Sequence, residues 1–366
     1  MAGSTFGNIF KITTWGESHG EGIGVVVDGC PAGLEISEEY IQTYLDRRKP
    51  GQSGYTTQRK EDDTVKILSG VFEGRTTGTP ISMIVYNKTQ RSSDYSEIAG
   101  YYRPGHADYT FDEKYGFRDY RGGGRSSGRE TIGRVAAGAI ACKLLSELGI
   151  TVAAYAKSIG DVEIDYNNFD IRERDNNPVA MPDMQASKRA EELLKEKMAK
   201  KDSVGGIVEC VVKNMKTGIG EPVFDKLDAC LAKAVMSIGA VKGVEIGAGF
   251  KVSEMSGSEN NDNFYMENDR VMKRTNNAGG ILGGISDGSD IVLRAAFKPT
   301  PSIFREQETI NRNHENIKVE IKGRHDPIIV PRAVVVVEAM TALTVSDLLL
   351  LSMTSTMDRI KKLFID

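Results

Sequence analysis

The segment RETIGRVAAGAIACKLLSELG, residues 129–149, combines an apolar helical pattern with many small side chains. It predicts a helix that ends at Gly149, because glycine is favoured just beyond a helix C-terminus. The small residues within 136–141 would let a neighbouring element approach closely. A helix that is apolar on most sides has to be covered on most sides. We therefore expect this helix in the interior of a layered protein.

A second apolar stretch, AVVVVEAMTALTVSDLLLLS at 333–352, follows Arg332 and predicts the last long helix. The stretch is about as long as a membrane span. It contains Glu338 and Asp347, however, and carboxylates are rare and costly inside a membrane. A helix buried between protein layers is therefore favoured over a membrane span.

Composition limits the function classes. The chain has 366 residues, of which 40% are hydrophobic and 27% charged, as in a globular protein. The net charge of −4 disfavours a general nucleic-acid binder, whose domains are usually basic. The four cysteines lie far apart, without the spacing of a zinc ribbon or a disulfide framework. The first residues show no targeting pattern, so we expect reduced cysteines and a cytoplasmic location.

Strands and helices alternate along the rest of the chain. Residues 1–30 are predicted to form strands, ending with GIGVVVDG at 22–29. The further predicted strands are 80–87, 205–214, 241–250 and 290–299, and the further helices are 37–48, 185–203 and 225–238. Each half of the chain contains strands and a long helix, which predicts one domain, 1–366, with halves of approximately 1–200 and 201–366. The long irregular segments are expected to carry function; they are 49–62, 88–124, 255–280 and 300–320.

The segment GESHG, residues 16–20, fits the G-x-S-x-G pattern of a serine nucleophile. That pattern requires a strand before the serine and a helix after it. Here the strand at 22–29 follows, so a serine hydrolase is disfavoured. His19 then remains as the residue of interest in this segment.

Two of the four histidines lie in glycine-containing segments where a ligand could approach the backbone. These are His19, in GESHG, and His106, in RPGHAD at 103–108. Histidine titrates near neutral pH and is the commonest general acid. Both are therefore candidate proton donors, although a single histidine is more often a surface or core residue.

The segment DYRGGGRSSGRETIGR, residues 119–134, interleaves arginines with glycines directly before a helix. Glycines allow backbone amides to face an anion, and a helix N-terminus favours negative charge. Arginines bind phosphate and carboxylate through paired hydrogen bonds. A solvated surface loop is the alternative interpretation. The residues thus indicate a pocket for a small polyanion with two candidate histidine acids, and they do not name a reaction.

Several long motifs, in order, resemble the chorismate synthase family from about residue 7 to about residue 350. The motifs are GESHG, RPGHADYTFDEKYGFRDYRGGGRSSGRETIGRVAAGAIA, AVKGVEIGAGF, NNAGGILGGISDG, FKPTPSI and KGRHDP. The resemblance implies an α/β (α+β) fold, a layered β/α/α/β sandwich with helices between two antiparallel sheets and two similar halves. It also implies a homotetramer.

The resemblance further implies an anti 1,4-elimination of phosphate from 5-enolpyruvylshikimate 3-phosphate that gives chorismate. Reduced FMN is required without net redox change. Some members reduce their flavin with NADPH, but no additional domain is recognisable here, so we expect an external reductant. A non-enzymatic flavin- or phosphate-binding protein remains the alternative function.

Site residues are carried over by the same resemblance. The catalytic residues would be His19, at the flavin's pyrimidine edge, His106, which would protonate the leaving phosphate, and Asp326, which would relay a proton at flavin N5. The residues implied to bind substrate or NADP are Arg48, Arg103 and Arg129. The residues implied to line the flavin site are Arg125, Ser126, Ser127, Gly239, Ala240, Gly283, Lys298, Pro299, Thr300, Pro301, Ser302 and Arg324.

Two positions depart from the family pattern. Gly54 stands where a basic residue is usual, and Gly239 where Asn is frequent. One anion contact and one flavin contact are therefore in doubt. We further expect the charges of the site arginines, Arg48, Arg103, Arg129 and Arg324, to repel one another until substrate arrives. Substrate and flavin would then bind cooperatively.

Overall fold

The structure is a computed structural model that describes residues 3–51, 54–55, 62–87, 97–321 and 326–365. Its helices are α1 Glu38–Arg48, α2 Asp108–Tyr115, α3 Thr131–Glu147, α4 Met184–Ala199, α5 Leu227–Met236, α6 Gly257–Asn260, α7 Val330–Leu351 and α8 Met357–Phe364. Its strands are β1 Thr5–Phe6, β2 Lys11–Gly16, β3 Gly22–Asp28, β4 Val65–Ile67, β5 Val71–Phe72, β6 Arg75–Thr76, β7 Ile81–Tyr86, β8 Thr151–Ile159, β9 Val162–Glu163, β10 Gly206–Lys213, β11 Val241–Ile246, β12 Phe264–Glu267, β13 Arg270–Lys273, β14 Ile281–Leu282, β15 Ile285–Ser286, β16 Ile291–Phe297, β17 Glu306–Ile310 and β18 Asn316–Glu320.

Two antiparallel sheets form the outer layers. Within the described residues, the first has the strand order β1-β2-β3-β7-β4 and the second the order β11-β16-β10-β8-β9. The strand β16 alternates buried and partly exposed residues along its whole length, as expected when one face of a strand covers a core. In the second sheet Cys210 of β10 pairs with Leu293 on one side and with Ala154 on the other.

The long helices fill the space between the sheets. Helix α3 packs against β2, β3 and β7 of the first sheet, and α7 packs against β8 and β10 of the second. The two helices also pack on each other, and a Cβ on Gly138 would lie 2.3 Å from the Cβ of Ala339. Only glycine permits this approach. The layered β/α/α/β architecture expected from the sequence is thus confirmed.

The two carboxylates of α7 both have buried partners. Glu338 accepts hydrogen bonds from Arg47 at 2.6 and 3.0 Å and from the amide of Ala154 at 3.0 Å. Asp347 accepts from the amides of Asn8, Ile9 and Phe10. By length and hydropathy this is the one membrane-span candidate among the described residues, but 83% of its most apolar window is buried. It is the central core helix, as the carboxylates indicated.

Most predicted elements are present, with shifted ends. The helix predicted at 129–149 is α3, and Gly149 follows it at a φ of +73°. The strand β8 and the hairpin β17–β18 lie in segments that were not predicted as strands. Because β8 pairs with β10, the second sheet begins at residue 151, and the predicted division near residue 200 lies inside it. The single domain over 1–366 stays a prediction.

Candidate active site

His19 lies in the turn that joins β2 to β3. A strand follows this turn, as the sequence predicted, so the structural context of a serine nucleophile is lacking. The His19 ring packs on the glycine-rich loop, where a Cβ on Gly122 would lie 2.4 Å from His19 Cδ2 and 3.2 Å from Ser18 Oγ. A residue larger than glycine at position 122 would therefore displace the histidine.

Asn87 connects the His19 turn to the predicted anion site. Its Nδ2 donates to the carbonyls of Glu17 and Gly20, each at 2.9 Å. Its Oδ1 accepts from Arg129 Nη2 at 2.8 Å. Sequence analysis missed Asn87, and its only signal was its position at the end of a predicted strand, just before a long irregular segment.

Arg48 and Arg129 share one carboxylate. The Arg48 guanidinium is buried and its Nη2 donates to Asp63 Oδ2 at 2.5 Å. Arg129 Nη1 lies 3.2 Å from the other oxygen of Asp63. Burial lowers the pKa of Arg48 to about 10, which still leaves it protonated at neutral pH. The single carboxylate of Asp63 thus balances one of the two positive charges.

Arg103 is paired in the same way. Its Nε and Nη2 each donate to the carboxylate of Asp108 at 2.8 Å. Burial opposes ionisation of Asp108, but the bonds from Arg103 outweigh it and lower its pKa. Arg103 thus has a carboxylate of its own, whereas Arg48 and Arg129 share one, so the expected repulsion between site arginines is reduced by these partners. Arg324 lies outside the described residues.

His106 is held between two polar partners. Its Nδ1 lies 2.9 Å from the carbonyl of Pro104, which only accepts, so Nδ1 carries the hydrogen. Its Nε2 lies 3.0 Å from Ser302 Oγ. Burial, and then the charge of Arg103, lower the pKa of His106. The neutral imidazole is thus favoured, with Nε2 accepting the Ser302 hydroxyl.

The segment 298–302 packs directly on the His106 loop. Lys298 Nζ donates to the carbonyl of Gly105 at 2.8 Å. Gly105 has a φ of +69°, and a Cβ there would lie 2.7 Å from Pro301 Cβ. On its other side Lys298 donates its amide to the carbonyl of Ala240 at 3.0 Å. Two predicted site segments and Ala240 thus meet at the end of β16.

The glycine-rich loop forms two short 3₁₀ turns, Gly124–Ser126 and Gly128–Glu130, before α3. Arg125 donates to the carbonyls of Gly16 and Thr14, each at 3.1 Å, so its guanidinium anchors the loop to β2. Ser126 Oγ donates to the carbonyl of Gly123, and Ser127 Oγ accepts from the amide of Arg129. Much of the polar capacity of these side chains is therefore used within the loop.

Two recesses border this loop. One is a cleft of about 500 Å³, lined by Glu17, Ala107, Asp108, Phe111, Tyr115, Phe117, Arg118, Asp119, Gly122, Gly123, Gly124, Arg125 and Ser126. The other is a cavity of about 100 Å³, lined by Arg48, Gly128, Thr131, Ile238, Gly239, Phe297, Ile329, Arg332, Ala333 and Val336. A Cβ on Gly239 would meet nothing within 4 Å, so the backbone at this position leaves room for a side chain to begin.

The remaining predicted residues lie further along the second half. Asp326 Oδ2 accepts from Arg332 Nη1 at 2.6 Å, and sequence analysis did not single out Arg332.

Gly283 lies in the turn of hairpin β14–β15, whose Gly284 carbonyl accepts from Leu227 at the start of α5. Within the described ranges, no group of residues could hold a metal ion.

Paired arginines, two histidines and a glycine-rich turn before a helix define an enzyme that acts on a small polyanion. A model of the chorismate synthase family matches residues 10–350. A chorismate synthase from Lachnospira eligens is 69% identical over 364 residues, 100% of each chain. One from Cytophaga hutchinsonii is 54% identical over 94% of this chain and 96% of its own. A crystal structure of chorismate synthase has a TM-score of 0.77 at 32% identity and covers 98% of this chain and 97% of that one.

The chain therefore belongs to the chorismate synthase family. It is a carbon–oxygen lyase of the shikimate pathway. Its reaction is the loss of phosphate from a small molecule, 5-enolpyruvylshikimate 3-phosphate, to give chorismate.

Proposed function

We propose that this chain performs an anti 1,4-elimination with reduced FMN as its cofactor. The two histidines and Asp326 handle the protons, and the paired arginines hold the anionic groups of the substrate. The observation that supports this most directly is that His19 packs on Gly122 of the glycine-rich loop, while Ala107 and Asp108, next to His106, line the same cleft as that loop. The His106 loop in turn packs on segment 298–302.

The described residues fit a flavin with a phosphate tail. The cleft of about 500 Å³ has an aromatic wall with Arg125 and Ser126 at its edge. Two hydroxyls of the predicted site segments, Ser18 Oγ and Thr300 Oγ1, are buried and have no hydrogen-bond partner among the described residues, which suits a polar ligand. The residues proposed to hold the flavin are Arg125, Ser126, Ser127, Gly239, Ala240, Gly283, Lys298, Pro299, Thr300, Pro301, Ser302 and Arg324.

When bound, reduced flavin supplies electron density that assists departure of an allylic phosphate. The side chains of this chain then have three tasks. They must hold the substrate's phosphate and two carboxylates, exclude water, and supply a proton to the departing phosphate.

Arg48, Arg103 and Arg129 suit the first task because their charges are already oriented. Substrate anions would replace Asp63 and Asp108 as partners, or share the arginines with them. Such an exchange avoids leaving a buried guanidinium without a counter-charge, which would be costly. Arg324 is proposed as a further ligand on the strength of the family pattern alone.

The contacts favour histidine roles opposite to those expected from the sequence. The turn that carries His19 is tied through Asn87 to Arg129, which shares Asp63 with Arg48, whereas the third anion-binding arginine, Arg103, lies beside His106. His106 contacts Ser302 in the proposed flavin segment. We therefore assign the proton for the leaving phosphate to His19 and proton exchange at the flavin side to His106, with Asp326 as the remaining proton carrier.

The protein is also proposed to be a cytoplasmic homotetramer that receives reduced flavin from an external reductant. Buried free thiols at Cys30, Cys142 and Cys210 suit a reducing compartment. The hairpin β12–β13 exposes Phe264, Met266 and Val271, and exposed apolar side chains of this kind favour self-association.

The test is anaerobic turnover of 5-enolpyruvylshikimate 3-phosphate with photoreduced FMN, compared with oxidised FMN plus NADPH. We expect chorismate in the first reaction and none in the second. Chorismate in both would assign a flavin reductase activity to the chain itself. Binding of flavin and substrate without turnover in either reaction would support the non-enzymatic alternative instead.

A further inference from the structure

Arg332 joins two parts of the site that lie far apart in the sequence. Its Nη1 donates to Asp326 Oδ2 at 2.6 Å, and its Nε donates to the carbonyl of Arg48 at 3.0 Å. Arg332 also lines the cavity of about 100 Å³ beside Gly239. One guanidinium thus connects the residue proposed to carry a proton with the end of α1.

The position of Arg332 is unfavourable for helix stability alone. It lies in the first turn of α7, Val330–Leu351, where the partial positive charge of the helix terminus disfavours a cation. Asp326 supplies the compensating charge, and both side chains are mostly buried, at 20% and 12% exposure. A charge-assisted hydrogen bond of this length fixes the orientation of a carboxylate.

We propose that Arg332 is a positioning residue for the reaction: it holds the Asp326 carboxylate in the orientation that proton transfer requires. The inference rests on the proposed role of Asp326. Arg332 acts through that carboxylate and is assigned no contact with substrate.

The guanidinium of Arg48, proposed to bind substrate, has partners of its own. The Arg48 guanidinium is held by Asp63 and by the carbonyl of Gly128. Arg332 donates its hydrogen bond to the backbone carbonyl of Arg48, and the charges of Arg332 and Asp326 act on the Arg48 guanidinium in opposite directions. Loss of the Arg332 side chain should therefore affect turnover more than substrate affinity.

The chain offers a matched control. Arg47, next to Arg48 on α1, also ties α1 to α7, through two hydrogen bonds to Glu338. Glu338 keeps Arg174 and the amide of Ala154 as partners when Arg47 is changed. An Arg47→Lys variant thus perturbs the same pair of helices without touching Asp326.

The experiment compares Arg332→Gln, Arg332→Lys, Asp326→Asn and the double variant Arg332→Gln/Asp326→Asn. We expect Arg332→Gln to lower kcat by about 100-fold, the cost typical of a misplaced catalytic group, with KM changed less than about threefold. Arg332→Lys should recover part of kcat. In the double variant the loss should match that of Asp326→Asn alone, because residues that act as one unit are not additive.

Two measurements without turnover accompany the kinetics. Calorimetric titration with 5-enolpyruvylshikimate 3-phosphate, in the absence of flavin, should give similar affinities for the parent chain and Arg332→Gln. Thermal unfolding should show Arg47→Lys to be at least as destabilised as Arg332→Lys while keeping its kcat.

The outcomes separate this inference from the function on which it rests. A fully active Asp326→Asn variant overturns the proposed role of Asp326, and this inference with it, but leaves the proposed elimination standing. An inactive Asp326→Asn variant beside a fully active Arg332→Gln variant overturns only the role of Arg332. Losses that multiply in the double variant, or a weakened substrate affinity equal to the loss of turnover, would assign Arg332 to binding or folding instead.

Discussion

His106 and Ser302 are joined by a contact of 3.0 Å between Nε2 and Oγ, across 196 residues of sequence. The Pro104 carbonyl holds the other ring nitrogen. The two contacts together fix both the ring orientation and the tautomer. His106 is therefore prepared to exchange a proton at Nε2, beside the segment proposed to hold the flavin.

Replacing His106 should reduce turnover far more than binding. General acid–base groups typically contribute about 100- to 10,000-fold to rate, so we expect a loss in this range for His106→Asn. Substrate affinity should largely persist, because Asp63 holds Arg48 and Arg129, and Asp108 holds the guanidinium of Arg103. The measurement is anaerobic turnover with photoreduced FMN. His314→Asn is the control, since His314 is exposed at a φ of +63° that asparagine tolerates. Near-normal turnover of His106→Asn would remove this residue from the mechanism.

The stability of the free protein should fall as pH decreases through about 6.5, the ordinary histidine pKa. Burial lowers the pKa of His106 in the folded state, so the unfolded chain binds its proton at a higher pH than the folded chain does. The free energy of unfolding therefore rises with pH in the window between the two pKa values. Above the pKa of the unfolded state His106 is neutral in both states and no longer makes the free energy of unfolding depend on pH. Urea titrations at several pH values across this range measure how the free energy of unfolding changes with pH. This change should be smaller for His106→Asn than for His314→Asn. An equal change in both variants would mean that groups other than His106 determine the pH dependence of stability.

Gly122 should be required for the position of His19. An added Cβ would lie 2.4 Å from Cδ2 and 2.7 Å from Nε2 of His19. Because the ring can move away, we expect Gly122→Ala to fold normally but to lose about 100-fold in turnover. Gly100→Ala, where a Cβ meets nothing within 4 Å, is the control. Turnover that is equal in the two variants would contradict a catalytic His19.

At Gly239 a substitution is expected to strengthen binding and not to impair the site. Its surroundings leave space for a side chain, and the family often has asparagine there. We expect Gly239→Asn to leave thermal stability unchanged and to tighten flavin binding by one hydrogen bond, about 1 kcal/mol. Fluorescence titration of FMN measures this, with Gly257→Asn as a remote control at an equally open position. Weaker flavin binding would show that the side chain obstructs the site.

The main strands and helices and the loops of the site could be predicted from the sequence, but the contacts that connect those loops could not. Runs such as GIGVVVDG predicted strands because β-branched residues favour them. The strand β8 was missed because TVAAYAKSI contains alanines and a lysine, which sheets disfavour. Glycines and arginines marked the loops of the site. Asn87, Asp63 and Arg332 were missed because their importance lies in contacts with residues distant in the sequence. Asp108 was missed although its partner Arg103 is only five residues away.

The same tertiary contacts change the expected energetics of anion binding. Cooperativity between substrate and flavin was predicted from mutual repulsion of the site arginines. Asp63 instead pairs with both Arg48 and Arg129 in the free protein and balances one of their two charges. An incoming anion must therefore compete with Asp63, and the carboxylate should weaken anion binding while it stabilises the fold.

Asp63→Asn tests this competition. Breaking a buried ion pair by removing one partner typically costs about 3–5 kcal/mol, so we expect this loss in the free energy of unfolding. Inorganic phosphate should bind the variant about tenfold more tightly, equivalent to about 1.4 kcal/mol, because it now supplies the missing counter-charge. A ligand that binds only the folded state raises its stability, so phosphate should raise the Tm of Asp63→Asn more than that of the parent chain. Asp202→Asn, which removes the partner of the exposed Arg305, should show neither effect. If phosphate raises the Tm of Asp63→Asn and of the parent chain equally, Asp63 does not compete for the anion site, and the arginines there bind substrate without giving up their carboxylate.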